Sequence, residues 1–103
     1  MSVKVTVSGN ADADLLLILT KSIESWGANR AVEYRLGLNA SIAMLGDHPE
    51  IGKRLPNLGS NVRRQVYESH IIVYENTSDG QVLILRVVHG SRRLTKRLLS
   101  GPD

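Results

Sequence analysis

The residues of this 103-residue chain with chemical potential are three histidines, one arginine inside an apolar run and a group of bases near the C-terminus. His48 lies beside Pro49, His70 opens a β-rich run and His89 follows the most apolar run. Imidazole titrates near about 6.5, so each can carry protons, but none has the spacing of a metal-binding pair. His89 stands apart because Arg86 lies three residues before it and Arg92 and Arg93 follow, and a proton carrier beside cations suits chemistry at an anionic group. Arg86 is the only charge within Val82–Val88. A buried guanidinium requires a carboxylate, a phosphate or backbone acceptors, which leaves two roles open: an internal ion pair with a helix carboxylate, or a grip on an anionic target. Arg63 and Arg64 are consecutive on a strand and project to opposite faces, so only one can share a patch with Arg86, and the register decides which.

The +3 net charge is unevenly spread. Residues 1–50 hold four bases against six acids, whereas residues 51–103 hold nine bases against four acids. Arg92, Arg93, Lys96 and Arg97 crowd together in the second half. This asymmetry points to an anionic partner, either nucleic acid or an acidic protein segment. Zinc signatures, a P-loop, a dinucleotide fingerprint, a nucleophile elbow and template-ordered Ser/His/Asp sets are all absent from the sequence. No cofactor and no metal are expected. The chain has no cysteine, so its core is expected to hold by packing alone. The longest apolar run, Leu15–Leu19, is far short of the roughly 20 residues of a membrane span. Met1-Ser2-Val3-Lys4 lacks a signal-peptide core. The expectation is therefore a cytoplasmic protein with no membrane partner, folded as one domain over residues 1–103.

The elements that must position these residues follow from hydrophobic period. Val3 to Val7 alternates as an edge strand and stops at Ser8-Gly9-Asn10. Asp12 and Asp14 suit the first turn of a helix whose apolar face reads Leu15, Leu19, Ile23 and Trp26. Gly27 supplies a left-handed stop, and Asn29 a cap for a second helix with Ala31, Tyr34, Leu38, Ile42 and Leu45 on one face, closed by Gly46 and Pro49. His48 to Asn61 reads as a loop. Val62–Tyr67 and His70–Tyr74 form a hairpin across Glu68-Ser69, and Asn76–Gly80 is a turn. Val82–Val88, apolar on both faces, is a covered central strand. Ser91 can cap a basic final helix from Arg92 to about Leu99, ended by Ser100-Gly101-Pro102. Leu16 and Leu17 fall off the first helix's stripe, which leaves apolar surface available to a partner or to the core.

The ordered set Ala11-Asp12-Ala13-Asp14-Leu15, Trp26-Gly27, Ala31, Leu45…His48-Pro49…Gly52, Val62-Arg63, His70–Tyr74 and Ile84–Gly90 resembles the ParE branch of the RelE/ParE toxin superfamily, over about Val3 to Leu98. The resemblance implies an α/β (α+β) fold of order β-α-α-β-β-β-α, with a helical hairpin on one face of a small twisted antiparallel sheet and a C-terminal helix closing an edge. It also implies the toxin of a type II toxin–antitoxin pair that traps the cleaved DNA complex of DNA gyrase. Such a toxin is neutralised by a ParD-like antitoxin in a hetero-oligomer. On that basis Arg86, His89, Arg92 and Arg93, then Arg63, Lys96 and Arg97, are the expected target contacts. Leu16, Leu17 and Trp26 are the expected antitoxin contacts. The alternative is a RelE-like ribosome-dependent mRNA endoribonuclease, yet the positions where such nucleases carry arginine, arginine and tyrosine fall at Ile71, near Gly90 and near Thr95 or Lys96.

Overall fold

The computed structural model describes residues 2–101; Pro102, expected in the final helix stop, and the terminal residues Met1 and Asp103 lie outside them. The elements run β1 (Val5–Val7), α1 (Gly9–Trp26), α2 (Ala28–Asp47), β2 (Lys53–Arg54), β3 (Val62–Tyr67), β4 (His70–Asn76), β5 (Val82–His89) and a 3-10 turn (Lys96–Ser100). Ser8 starts α1 rather than merely ending β1. Its hydroxyl accepts the Ala11 N–H at 3.1 Å and donates to the Leu85 carbonyl at 3.0 Å, so one side chain caps the helix and ties it to β5. Gly27 takes a φ of 88° and closes α1 through its N–H to the Ile23 carbonyl, then serves as the N-cap of α2. Asn29 is therefore an exposed residue inside the helix, not its cap.

The face of α2 is the expected one, with Ala31, Leu38, Ile42 and Leu45 buried and Tyr34 half-buried. That of α1 is rotated from the expected stripe. It buries Ala11, Leu15 and Ser22 with Ile18 half-buried, while Ile23 and Trp26 stay 43% and 45% exposed. Small residues at Ala11 and Ser22 let the helix lie close to the sheet, which Leu19 and Ile23 on the other stripe would not. Gly46 does not end α2 but is buried within it. A Cβ there would sit 2.9 Å from the Val3 carbonyl oxygen, and its own carbonyl accepts the Val3 N–H at 2.8 Å.

The sheet order is β1-β5-β4-β3-β2. Its pairings are antiparallel except that β1 lies parallel to β5, with Val5 opposite Val82 and Val7 opposite Ile84. The helical hairpin provides the crossover that a parallel neighbour requires. The sheet is therefore mixed rather than wholly antiparallel. Between sheet and hairpin lies a core built on Tyr74, Ile72, Ile84, Val82, Leu38 and Leu45. A second cluster on the other face joins Val62, Ile71, Val73 and Val88 to Leu58 and Leu98. Covering on both faces explains why β4 and β5 read as nearly continuous apolar runs. The two-residue strand β2, inside the expected loop, pairs Lys53 with Arg64 and Arg54 with Arg63. Gly52 just before it has no room for a side chain, since a Cβ would lie 2.5 Å from the Arg64 carbonyl and 2.6 Å from the Tyr74 hydroxyl that accepts the Gly52 N–H.

The expected helix from Arg92 to Leu99 shrinks to the 3-10 turn Lys96–Ser100. Ser91 does not cap it, because its hydroxyl and N–H both engage His89 Nδ1, at 2.8 and 3.1 Å. Arg92 and Arg93 thus lie in an irregular segment.

Candidate functional site

Where β1 stops at Val7, the outer edge of β5 continues alone, and a groove of about 560 Å³ opens between it and α1. Leu17, Lys21 and Trp26 line it from the helical side, and His70, His89 and Arg92 from the sheet side. Arg86 is 3% exposed at its floor. A bulge at Leu85 places Arg86 opposite Val73, and the guanidinium spans the sheet edge. Its Nε and Nη2 donate to Asp14 at 2.8 and 2.9 Å on one side. On the other, Nη1 donates to the Leu98 and Gly101 carbonyls at 2.7 and 3.0 Å. Asp14 also accepts the Val87 N–H at 2.9 Å, which satisfies a donor on the open edge of β5. The internal ion pair is therefore what the structure assigns to Arg86, in place of the expected target contact: its guanidinium is engaged on both sides and almost wholly buried, so it positions α1 and the tail around the groove.

Arg63 is likewise committed. It donates to Asn76 Oδ1 at 3.0 Å and to the Gly52 and Glu50 carbonyls at 2.9 and 3.1 Å, which pins the loop after α2. Register shows that Arg64, not Arg63, shares a row with Arg86, because Arg64 faces Val73 and Val73 faces Arg86. Of the remaining expected target contacts, His89, Arg93, Lys96 and Arg97 are exposed and Arg92 is half-buried at the groove. Leu16 and Leu17 are 63% and 55% exposed, but only Leu17 joins Trp26 in the groove. Leu16 lies about 100° away around the helix.

Sequence reading missed the aromatic and imidazole chain behind this groove. Trp26, Tyr34 and His70 make successive edge-on contacts at 5.6 and 5.5 Å, and His70 meets its cross-strand partner His89 at 5.7 Å. The Tyr34 hydroxyl accepts the Ser69 N–H at 3.2 Å and is hydrogen-bonded to His70 Nδ1 at 2.7 Å, with the proton on either partner according to the tautomer of the ring. Burial, and then the neighbouring His89, lower the His70 pKa from its usual value. Burial raises that of Tyr34. The spacing of His70 and His89 carried no signal, since they meet only through the β4–β5 register.

The lowered His70 pKa has a pH consequence. The unfolded chain binds this proton more readily than the folded one, so stability is unaffected above about 6.5 and falls as pH drops through the folded-state pKa. Urea unfolding at pH 7.5 and pH 5 is expected to show His70→Asn losing less stability on acidification than the parent; equal losses would assign the effect elsewhere.

A larger concavity of about 690 Å³, between His48–Ile51 and Asn76–Gly80, contains none of the expected site residues. Among the described residues no three His, Cys, Asp or Glu side chains are grouped to hold a metal ion, and no helix is long and apolar enough to cross a membrane.

Comparison with known proteins agrees with this architecture. Residues 5–94 match the family model described as the ParE toxin of the type II toxin–antitoxin system, parDE. Toxin ParE1 of Caulobacter vibrioides is 38% identical over 85 residues, which span 82% of this chain and 86% of that protein. Toxin ParE1 of Mycobacterium tuberculosis is 28% identical over 89 residues, covering 86% and 91%. Among solved structures, a chain of the chromosomal ParDE system from P. aeruginosa superposes with a TM-score of 0.74 at 18% identity, covering 85% of this chain and 96% of that one. A chain of the RelBE2 toxin–antitoxin complex from Mycobacterium tuberculosis gives 0.58 at 21% identity, covering 86% and 99%. At these identities the two structures share the fold.

Proposed function

The chain belongs to the ParE toxin family of type II toxin–antitoxin systems, and on that premise we propose that it arrests growth by binding DNA gyrase and trapping its cleaved DNA complex. The binding surface is the basic tail, through His89, Arg92, Arg93, Lys96 and Arg97. The observation that carries this reading is the set of exposed cations from Arg93 to Arg97, which form no ion pair with a carboxylate among the described residues. Unscreened cations gathered on one segment favour an anionic macromolecule over a small neutral ligand. Against RNA cleavage, the position where related ribonucleases carry an arginine is Ile71, which is 5% exposed within the second core cluster.

A ParD-like antitoxin neutralises the toxin in a hetero-oligomer. An amphipathic helix fits the groove over Leu17 and Trp26, its acidic residues meeting Lys21 and Arg92 at the rim. An extended segment can add to an open sheet edge. Leu16, on the adjacent flank of α1, extends the apolar contact beyond the groove.

Induced expression tests the reading. A gyrase poison produces an SOS response, and the purified protein yields gyrase-dependent double-strand breaks in supercoiled plasmid. Messages cut at codons on ribosomes, with intact plasmid, would transfer the chain to the ribonuclease reading.

A further inference from the structure

The short strand β2 creates an arrangement that the fold itself does not need. Lys53 stands directly opposite Arg64, and Arg54 directly opposite Arg63, so four cations share one two-residue ladder. Like charges directly across a sheet repel. Arg63 and Arg54 are engaged by neutral acceptors, Arg54 donating to the Ser60 carbonyl at 2.9 Å. The side chains of Lys53 and Arg64 have no hydrogen-bonded or ionic partner among the described residues, where Arg86–Asp14 is the only ion pair. Glu75 shares their sheet face, opposite Val62, but pairs with neither.

This face lies opposite the helical hairpin, and the tail crosses it. Leu98 packs with Val62, Ile71, Val73 and Val88, and Asn57 donates to the Leu94 carbonyl at 3.0 Å. Leu94 and Leu98 thus hold the tail on the sheet face that carries Lys53 and Arg64, and Arg93, Lys96 and Arg97, their exposed neighbours in sequence, add their charge to that side of the molecule. All four aromatic residues lie elsewhere: Trp26, Tyr34 and Tyr67 are linked by ring contacts on the hairpin side, and Tyr74 is in the core beneath it. A surface rich in cations and without aromatic rings can neutralise phosphates but cannot stack unpaired bases.

We propose that the sheet face carrying Lys53 and Arg64, continued by the tail cations, binds the phosphate backbone of duplex DNA without reading its sequence. Such a contact extends the proposed action on a gyrase–DNA complex to the DNA itself. It is measured without gyrase, so either idea can fail while the other stands.

The test is fluorescence anisotropy of the purified chain with a labelled duplex of about 20 base pairs over about 50–200 mM salt. Binding is expected at the low end, falling steeply with salt. Lys53→Ala with Arg64→Ala should weaken it at least about tenfold and flatten the log–log salt slope by about two. Lys4→Ala, at the opposite edge of the sheet, should change neither. Lys53→Glu separates lost contact from lost fold: a carboxylate opposite Arg64 relieves the repulsion, so the melting temperature holds or rises while DNA affinity falls. No binding at about 50 mM salt, an unchanged slope in the double variant, or tighter binding of the single strand than of the duplex would each overturn the proposal.

Discussion

Replacing Asp14 with alanine is expected to destabilise the protein by about 3–5 kcal/mol, because it strands a buried guanidinium and the Val87 N–H together. In a chain of this size that loss lowers the melting temperature by roughly 15–20 °C or more. The effect is conformational as well as energetic. Arg86 holds the Leu98 and Gly101 carbonyls with the same guanidinium that grips Asp14, so α1 and the tail are tied across the open edge of β5. Releasing one end loosens the segment that carries Lys96 and Arg97. Urea unfolding measures the loss, and amide exchange of Leu98 reports the loosening. A change below about 1 kcal/mol would mean that the remaining carbonyl partners suffice for Arg86. Replacing both members, Asp14→Leu with Arg86→Met, is expected to recover much of the stability, since paired removal leaves no uncompensated charge.

The largest functional loss is expected from Arg93→Ala, Lys96→Ala and Arg97→Ala combined. All three side chains are exposed, so folding stability should stay within about 0.5 kcal/mol of the parent for each. If each contributes roughly 1 kcal/mol to contact with an anionic target, affinity drops about a hundredfold and growth resumes after induction. Titration of gyrase-dependent plasmid cleavage gives the magnitude. Undiminished arrest by a stably expressed triple variant would remove the tail from the mechanism. Arg92 is kept out of this combination because it is half-buried at the groove and engaged with the rest of the structure.

How much of this was legible beforehand depends on the range of the interactions involved. The apolar face of α2, the β3–β4 hairpin and the doubly covered β5 were readable, since each expresses its environment as a period of its own residues. In α1 two apolar stripes competed, and docking buried the one through Ala11, Leu15 and Ser22, which local hydrophobicity ranked lower. The final helix was lost for a similar reason: Ser91, a sound cap by type, is drawn to His89.

The candidate site divides in the same way. The excess of bases in the second half, the surplus of leucines off the α1 stripe and the family resemblance were properties of composition and order, and the sequence alone established them; that Leu16 and Leu17 stay exposed was decided by the fold. The partner of Arg86 was not, because Asp14 lies 72 residues away and meets it only after α1 has docked on the sheet. Nor could the sequence show that β1 pairs in parallel, that His70 faces His89, or that Lys53 opposes Arg64. Those relations depend on strand register and on a one-residue bulge, and a shift of a single residue exchanges the two faces of a strand. Residue types and their periods thus determined which elements form and which charges are available. Tertiary docking alone decided which of those charges neutralise one another inside the fold and which remain on the surface for a partner.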